Sequence, residues 1–497
     1  MFEKITPEEA GISSIKVSEF INKLNKRKLR MHSVLMMKGD KLFSEYYWAP
    51  FSEDFCHRMY SQTKSYVAIA IGLLEEEGKL SLDDTIASYF PEKIHTELTE
   101  NLKKQTIREM LTMCTVGSGI GWWFTTDYED RTELYFNERK NGTPKPSGTL
   151  WNYDSQGSQV LSNLVEKLSG MTLFDYLNEK IFMHLGTFKT AEILKTRNGD
   201  SWGDSALICR PRDMISFARF VMNYGMWNGK RLMNEEYLKT ATSALVNNSI
   251  TSHYSVYYSL GYGYQIWRIE QNGFLFVGMG GQLTACFPDK DLIFVCTSDN
   301  QGRERAYDTI FEALLDIIVD NINDSPLPEA PADYKALCDA TSDLKLFAAE
   351  GLEDSSFRDE INGVKYSLEN NPMGISEFTF YFNDKQTGEL HYKNSQGEKI
   401  LPFGVNHNVF GKFPQLGYSN GIGGARTDDG FMYDDAVSLA WLDEKEIMIC
   451  VQIIDKYFGN ASMFFAFKDN EAVVRMIKTA EDFLDEYQGF AHGKRED

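Results

Sequence analysis

Apolar positions along the chain change their spacing several times, and each change marks an element. Two apolar runs, Val34–Met37 and Leu42–Tyr47, flank Gly39-Asp40, so Ser33–Tyr47 reads as a β-hairpin. Helical spacing follows over Lys64–Gly78, Ser158–Leu168, Leu173–Leu185 and Asp213–Tyr224, and the unbroken run Leu292–Thr297 reads as a buried strand. Strands therefore flank a helical middle. Pro326, Pro328 and Pro331 stand between a helical pattern ending near Ile322 and a fresh start after Asp333, which predicts a linker over 326–332. Beyond it the pattern turns β-rich: alternating Phe378–Phe382, a turn over Asn383–Gly388, a strand from Leu390, and strands over Glu446–Ile454 and Ser462–Phe467. A last amphipathic helix is expected to carry Val474, Ile477, Phe483 and Leu484. The organisation is two domains, 1–325 and 333–497, the second a small lipocalin-like antiparallel barrel closed by that helix.

Composition narrows the partners. The 497 residues carry 51 Lys and Arg against 72 Asp and Glu, a net charge of −21 that repels phosphate backbones and anionic headgroups. Neither nucleic acid nor a membrane surface is expected as a partner. Seven cysteines are scattered without any Cys-x-x-Cys, as reduced thiols would be. The start Met1–Glu9 lacks the basic and apolar stretches of an export signal, so a cytoplasmic protein is expected. The histidines, at 32, 57, 95, 184, 253, 391, 407 and 492, never fall at metal-binding spacings, and no Walker-type loop occurs; no metal or cofactor is expected. The glycine-rich stretches Gly117–Gly121 and Gly417–Gly430 lack a strand-to-helix setting and read as loops.

Chemistry concentrates at Ser61-Gln62-Thr63-Lys64. Ser-x-x-Lys also occurs at Ser13–Lys16 and Ser342–Lys345, so the tetrapeptide alone decides nothing. Its setting does. The stretch from Tyr66 to Leu74 is apolar nearly all round a helix, and a lysine buried one turn into such a helix is costly without a task. Positions i and i+3 share a face, so the Lys64 amine can reach the Ser61 hydroxyl, and burial would depress the amine enough to accept a proton. Ser61 then becomes a nucleophile whose backbone N–H and helix-start dipole suit a developing oxyanion. The alternative, an N-cap serine with a snorkelling lysine, suits the amphipathic Ser13–Lys16 segment better.

With Glu77-Gly78-Lys79-Leu80-Ser81-Leu82-Asp83-Asp84 behind it, this motif resembles the serine β-lactamase and penicillin-binding-protein superfamily, in particular its class C-like esterase and peptidase branch. Thr106–Met113, Trp151-Asn152-Tyr153-Asp154-Ser155-Gln156-Gly157, Pro211–Met214, Gly261–Trp267 and Phe276-Val277-Gly278-Met279-Gly280-Gly281-Gln282 continue the likeness in order over about two-thirds of the chain. The resemblance implies an α+β (α/β sandwich) fold with an antiparallel sheet and a helical subdomain. It implies that Tyr153 shares proton transfer with Lys64, that the backbone N–H groups of Ser61 and Met279 form the oxyanion hole, with Met279 on an edge strand, and that Ser155 contacts the lysine or the substrate. Phe276 stands where relatives carry Lys or His, so β-lactam turnover is not expected. Gly278 and Gln282 belong to a Gly-x-Gly-Gly-Gln similar to that of nylon-oligomer hydrolases. Trp122, Trp123, Phe124 and Trp151 are expected at the rim of the cleft, with Trp123 against the acyl group.

Two functions compete on these residues: a serine hydrolase acting through an acyl-enzyme on small esters or amides, and a binding or sensing protein that kept the fold without turnover. The barrel could restrict the cleft or mediate self-association as a homo-oligomer, and the sequence leaves both open.

Overall fold

A computed structural model describes residues 2–117, 130–138, 145–249, 255–416, 431–480 and 484–496. The chain forms two compact units, 1–345 and 346–497.

The first unit is built on a seven-stranded sheet. Its strands are β1 (Glu3–Lys4), β2 (Met31–Lys38), β3 (Lys41–Tyr47), β4 (Trp267–Ile269), β5 (Gly273–Gly278), β6 (Gln282–Phe287) and β7 (Leu292–Ser298), in the order β1-β3-β2-β7-β6-β5-β4. Every pairing is antiparallel except β1 with β3. The strand period of two divides the side chains between two cores: Leu35, Met37, Phe274, Phe276, Ile293 and Val295 enter one, while Val34, Met36, Leu275, Phe294 and Cys296 enter the other. Covering both faces is why Val34–Met37 and Leu292–Cys296 contain no polar residue.

The helices that cover those faces are α1 (Ser14–Lys26), α2 (Thr63–Glu76), α3 (Ser155–Ser169), α4 (Pro211–Met222), α5 (Ala306–Ala313) and α6 (Pro331–Thr341). Apolar residues of α2, α3 and α4 fill the first core, and those of α1 and α5 the second. Ser13 caps α1 by accepting the Lys16 N–H, so this Ser-x-x-Lys is an N-cap. The expected linker at 326–332 leads straight into α6, whose Leu337 lies in the second core, and the first unit runs on to Lys345. Pro331 is the first residue of α6, where its missing N–H costs nothing, so the proline cluster marks a helix start rather than a domain boundary.

The second unit is a closed barrel of β8 (Lys365–Leu368), β9 (Glu377–Phe382), β10 (Thr387–Asn394), β11 (Gly397–Val405), β12 (Asp434–Asp443), β13 (Glu446–Ile454), β14 (Phe458–Lys468), β15 (Glu471–Thr479) and β16 (Gly489–Arg495). Consecutive strands pair antiparallel, β16 returns to β8, and only the contact of β11 with β12 is parallel. Phenylalanine and tryptophan rings fill the interior, Phe378 and Phe380 each packing on Phe465. The expected terminal helix is instead β15. Ala472, Val474 and Met476 are buried in alternation, a period of two that the i, i+3 pair of Val474 and Ile477 disguises. Leu484 lies just before a short turn, and Phe483 is outside the described residues.

Candidate active site

Ser61 sits in a single 3₁₀ turn, Tyr60–Gln62, that runs without interruption into α2. The turn is fastened on two sides. Met59 N–H donates to Leu207 O at 2.7 Å, Thr63 Oγ1 accepts from Leu207 N–H at 3.0 Å, and Thr284 of β6 donates to the Gln62 side chain at 3.1 Å. Tyr60, directly before the serine, has φ +48°, a left-handed backbone that a bulky side chain adopts only when its surroundings impose it. Those surroundings include Arg58, whose guanidinium lies 4.4 Å from the Tyr60 ring and 4.4 Å from the Trp202 ring while bonding Ser205.

Lys64 is 2% exposed. Its Nζ lies 2.9 Å from Ser61 Oγ and donates to the Asp204 carbonyl at 2.5 Å, so the amine is bracketed between the hydroxyl and a fixed acceptor. Tyr153 completes the group: its phenol shares a hydrogen bond with the Ser61 side chain, and its ring centroid stands 5.2 Å from Lys64 Nζ. Burial pushes this phenol above its ordinary value; the bond to Ser61 opposes that shift and the Asp204 carboxylate adds to it. Tyr153 therefore stays protonated at neutral pH. Its backbone is set by Asp154, which caps α3 through the Gly157 N–H at 3.1 Å and accepts from Thr115 at 2.7 Å, and its ring stacks on Trp267.

The β5–β6 turn closes the other side. A Cβ on Gly278 would stand 2.0 Å from Met59 O, so strand end and serine turn touch through their backbones. Met279 lies in the turn itself, one residue beyond β5, not on an edge strand. Gly280 has φ +82° at the third position of the turn Gly278–Gly281, which Gly281 N–H closes onto Gly278 O.

Several expected contacts fall elsewhere. Phe276 is 1% exposed and packs with Phe274 and Phe217 in the core, because residue alternation along β5 turns it away from the second core's side. It is no substrate contact. Gln282 is fully buried and its amide donates to Met279 O at 3.1 Å and Ser298 O at 2.6 Å, holding the turn instead of facing a ligand. Ser155 opens α3, and its side chain makes no hydrogen bond with a described residue, Lys64 included. Trp151 is 2% exposed within a cluster formed with Tyr262 and Trp267, so it is core rather than rim. Trp122, Trp123 and Phe124, like most of the Gly117–Gly121 loop and all of Gly417–Gly430, lie outside the described residues. Sequence reasoning missed Arg58, Asp204, Gln282's structural role and Tyr307; Arg58, Asp204 and Tyr307 meet partners 147, 140 and 29 residues away, and no local pattern signals them.

Sheet, helical layer and a serine paired with lysine at the start of a buried helix define a fold of the serine β-lactamase and penicillin-binding-protein type, a class of serine hydrolases. Residues 18–317 match the family model described as Beta-lactamase, and the chain belongs to that family. It is 21% identical over 281 residues to a 6-aminohexanoate-dimer hydrolase of Paenarthrobacter ureafaciens, covering 52% of this chain and 70% of that protein. Among solved structures, a 6-aminohexanoate-dimer hydrolase-like protein of Bacillus anthracis superposes with a TM-score of 0.52 at 19% identity, covering 66% of this chain and 89% of that one. A penicillin-binding-protein homologue of Caulobacter crescentus gives a TM-score of 0.50 at 16% identity, covering 61% and 97%. Among the described residues no helix is long and apolar enough to cross a membrane.

Proposed function

We propose that this protein hydrolyses small esters or linear amides through an acyl-enzyme on Ser61. The observation that carries the reading is the 2.9 Å approach of Lys64 Nζ to Ser61 Oγ, with the Tyr153 phenol bonded to the same hydroxyl. Ser61 Oγ attacks the substrate carbonyl as its proton passes to the neutral Lys64 amine; the Tyr153 phenol gives its proton to the leaving alcohol or amine, and Lys64 then reprotonates Tyr153. Water then cleaves the acyl-enzyme by the reverse relay. The Ser61 and Met279 N–H groups hold the oxyanion, a role supported by the backbone contact between Gly278 and Met59. Membership of a hydrolase family and likeness to a protein named for an amide dimer favour linear acyl substrates, and the burial of Phe276 leaves no cation at that position for the carboxylate of a β-lactam.

Turnover of p-nitrophenyl esters, D-amino acid amides and nitrocefin by wild type and Ser61→Ala tests this. Ester or amide turnover falling by at least about a thousandfold in Ser61→Ala is expected. Adduct formation on Ser61 by a fluorophosphonate without turnover of any substrate would instead favour a sensor, and an unlabelled Ser61 would remove the catalytic reading.

A further inference from the structure

The geometry points to Tyr307, on the first turn of α5, as the residue that orients the Met279 N–H of the oxyanion hole; the inference rests on the acyl-enzyme reading above. The Tyr307 hydroxyl donates to Gly278 O at 2.9 Å and accepts from Gly281 N–H at 3.1 Å, so it spans the two ends of the β5–β6 turn. A hydroxyl has one proton, and these two bonds fix its direction: the donated bond goes to the carbonyl.

That carbonyl belongs to the peptide whose N–H is that of Met279. In a planar trans peptide C=O and N–H point in opposite directions, so gripping the oxygen sets the line of the N–H. The next peptide is gripped in the same manner, since Gln282 Nε2 donates to Met279 O at 3.1 Å. The Gly280 and Gly281 backbones, at φ +82° and +98°, permit such a turn but do not by themselves hold it, and Gly281 N–H reaches Gly278 O at only 3.3 Å. Tyr307 supplies the stronger anchor. A donor on the carbonyl also polarises the peptide and makes its N–H a better donor to a developing oxyanion. The ring packs edge-on to Tyr258 at 6.5 Å, so a phenylalanine would keep this ring contact and lose the bridge.

Tyr307 is thus a positioning residue, and Tyr307→Phe separates its effect from folding. A p-nitrophenyl ester hydrolysed by wild type should show kcat about tenfold to a hundredfold lower in Tyr307→Phe, with KM within about threefold. The affinity for an arylboronic acid, whose tetrahedral adduct on Ser61 places an oxygen in the hole, should fall in the same proportion, and the melting temperature should hardly move. A merely structural tyrosine would lower the melting temperature and leave boronate affinity of the remaining folded protein unchanged. Equal kcat and boronate affinity in the two proteins, or a lower kcat with unchanged boronate affinity, overturns the assignment while leaving Ser61 as nucleophile. Wild type that neither turns over the ester nor reacts with a fluorophosphonate at Ser61 overturns the parent reading, and this inference with it.

Discussion

Gly278 and Met59 meet backbone to backbone: the space a Cβ would need at 278 is taken by the Met59 carbonyl oxygen, 2.0 Å from its ideal position. The residue two before the nucleophile and the residue before Met279 are therefore in contact, and the distance between the two proposed oxyanion donors depends on a hydrogen atom at 278. Gly278→Ala must push the turn and the strand apart, because the obstructing atom is backbone and cannot rotate away. The expected cost is about 1–3 kcal/mol of stability, with kcat/KM falling by more than about a hundredfold. Thermal melting and ester kinetics on the same preparation check it; near-normal kcat/KM would show that the donors do not need this contact.

Phe276 occupies the position at which the family resemblance leads one to expect a cation, yet its ring packs 6.1 Å from Phe217 and 5.9 Å from Phe274. Restoring the family's lysine would place a charge among phenylalanines at a site 1% exposed, a cost of several kcal/mol. Phe276→Lys is therefore expected to melt well below wild type and to gain no nitrocefin hydrolysis, whereas Phe276→Leu should fold with a loss of about 1–2 kcal/mol. A folded Phe276→Lys that hydrolyses nitrocefin would mean that the side chain at 276 reaches the site after all.

Of the proposed catalytic residues, the Ser61–Lys64 pair is legible for a local reason and its support is not. Ser61 and Lys64 are three residues apart on an element whose all-round apolarity announces burial, so spacing and environment could be read together. Tyr153 required the family resemblance, since nothing near it in the chain separates it from other core aromatics. Arg58, Gln282 and Tyr307 act across 147, 16 and 29 residues on Ser205, Ser298 and Gly278, and such contacts exist only after the sheet has formed. The same limit explains Phe276 and Gln282. Motif position suggested that both face the cleft, but strand alternation and an amide buried beneath the turn decide otherwise. In the barrel, alternation at Ala472, Val474 and Met476 was present in the sequence and was outweighed by an incidental helical spacing.

Asp435 makes the barrel's stability depend on pH. Burial on β12 pushes its carboxyl up to about 7, with Asp434 adding to the shift and the Gly411 N–H and Lys412 opposing it. A carboxyl raised in the folded state binds a proton that the unfolded chain has already released, so stability declines as pH rises from the ordinary carboxylate range through about 7. Asp435→Asn removes the dependence. It is expected to match wild type near pH ~5 and to melt several degrees higher at pH ~8, where wild type must hold a buried charge. Identical melting differences at both pH values would place the carboxyl's titration outside this window.

Lys64 and Tyr153 address one hydroxyl, and that shared target predicts how their removal combines. Lys64→Met takes away the amine 2.9 Å from Ser61 Oγ, and Tyr153→Phe takes away the phenol bonded to it while keeping the ring on Trp267. Each substitution is expected to lower kcat by about 10²–10⁴-fold. If the proton travels through both groups, losing either breaks the relay, and the double variant should be scarcely slower than the worse single one. Two groups acting independently would multiply their effects. The phenol's raised titration adds a second mark: Tyr153 stays protonated, so wild-type kcat/KM should show no inflection from it between about pH 6 and 9. Multiplicative losses in the double variant would mean that Lys64 and Tyr153 serve separate steps, one of them without the proton of Ser61.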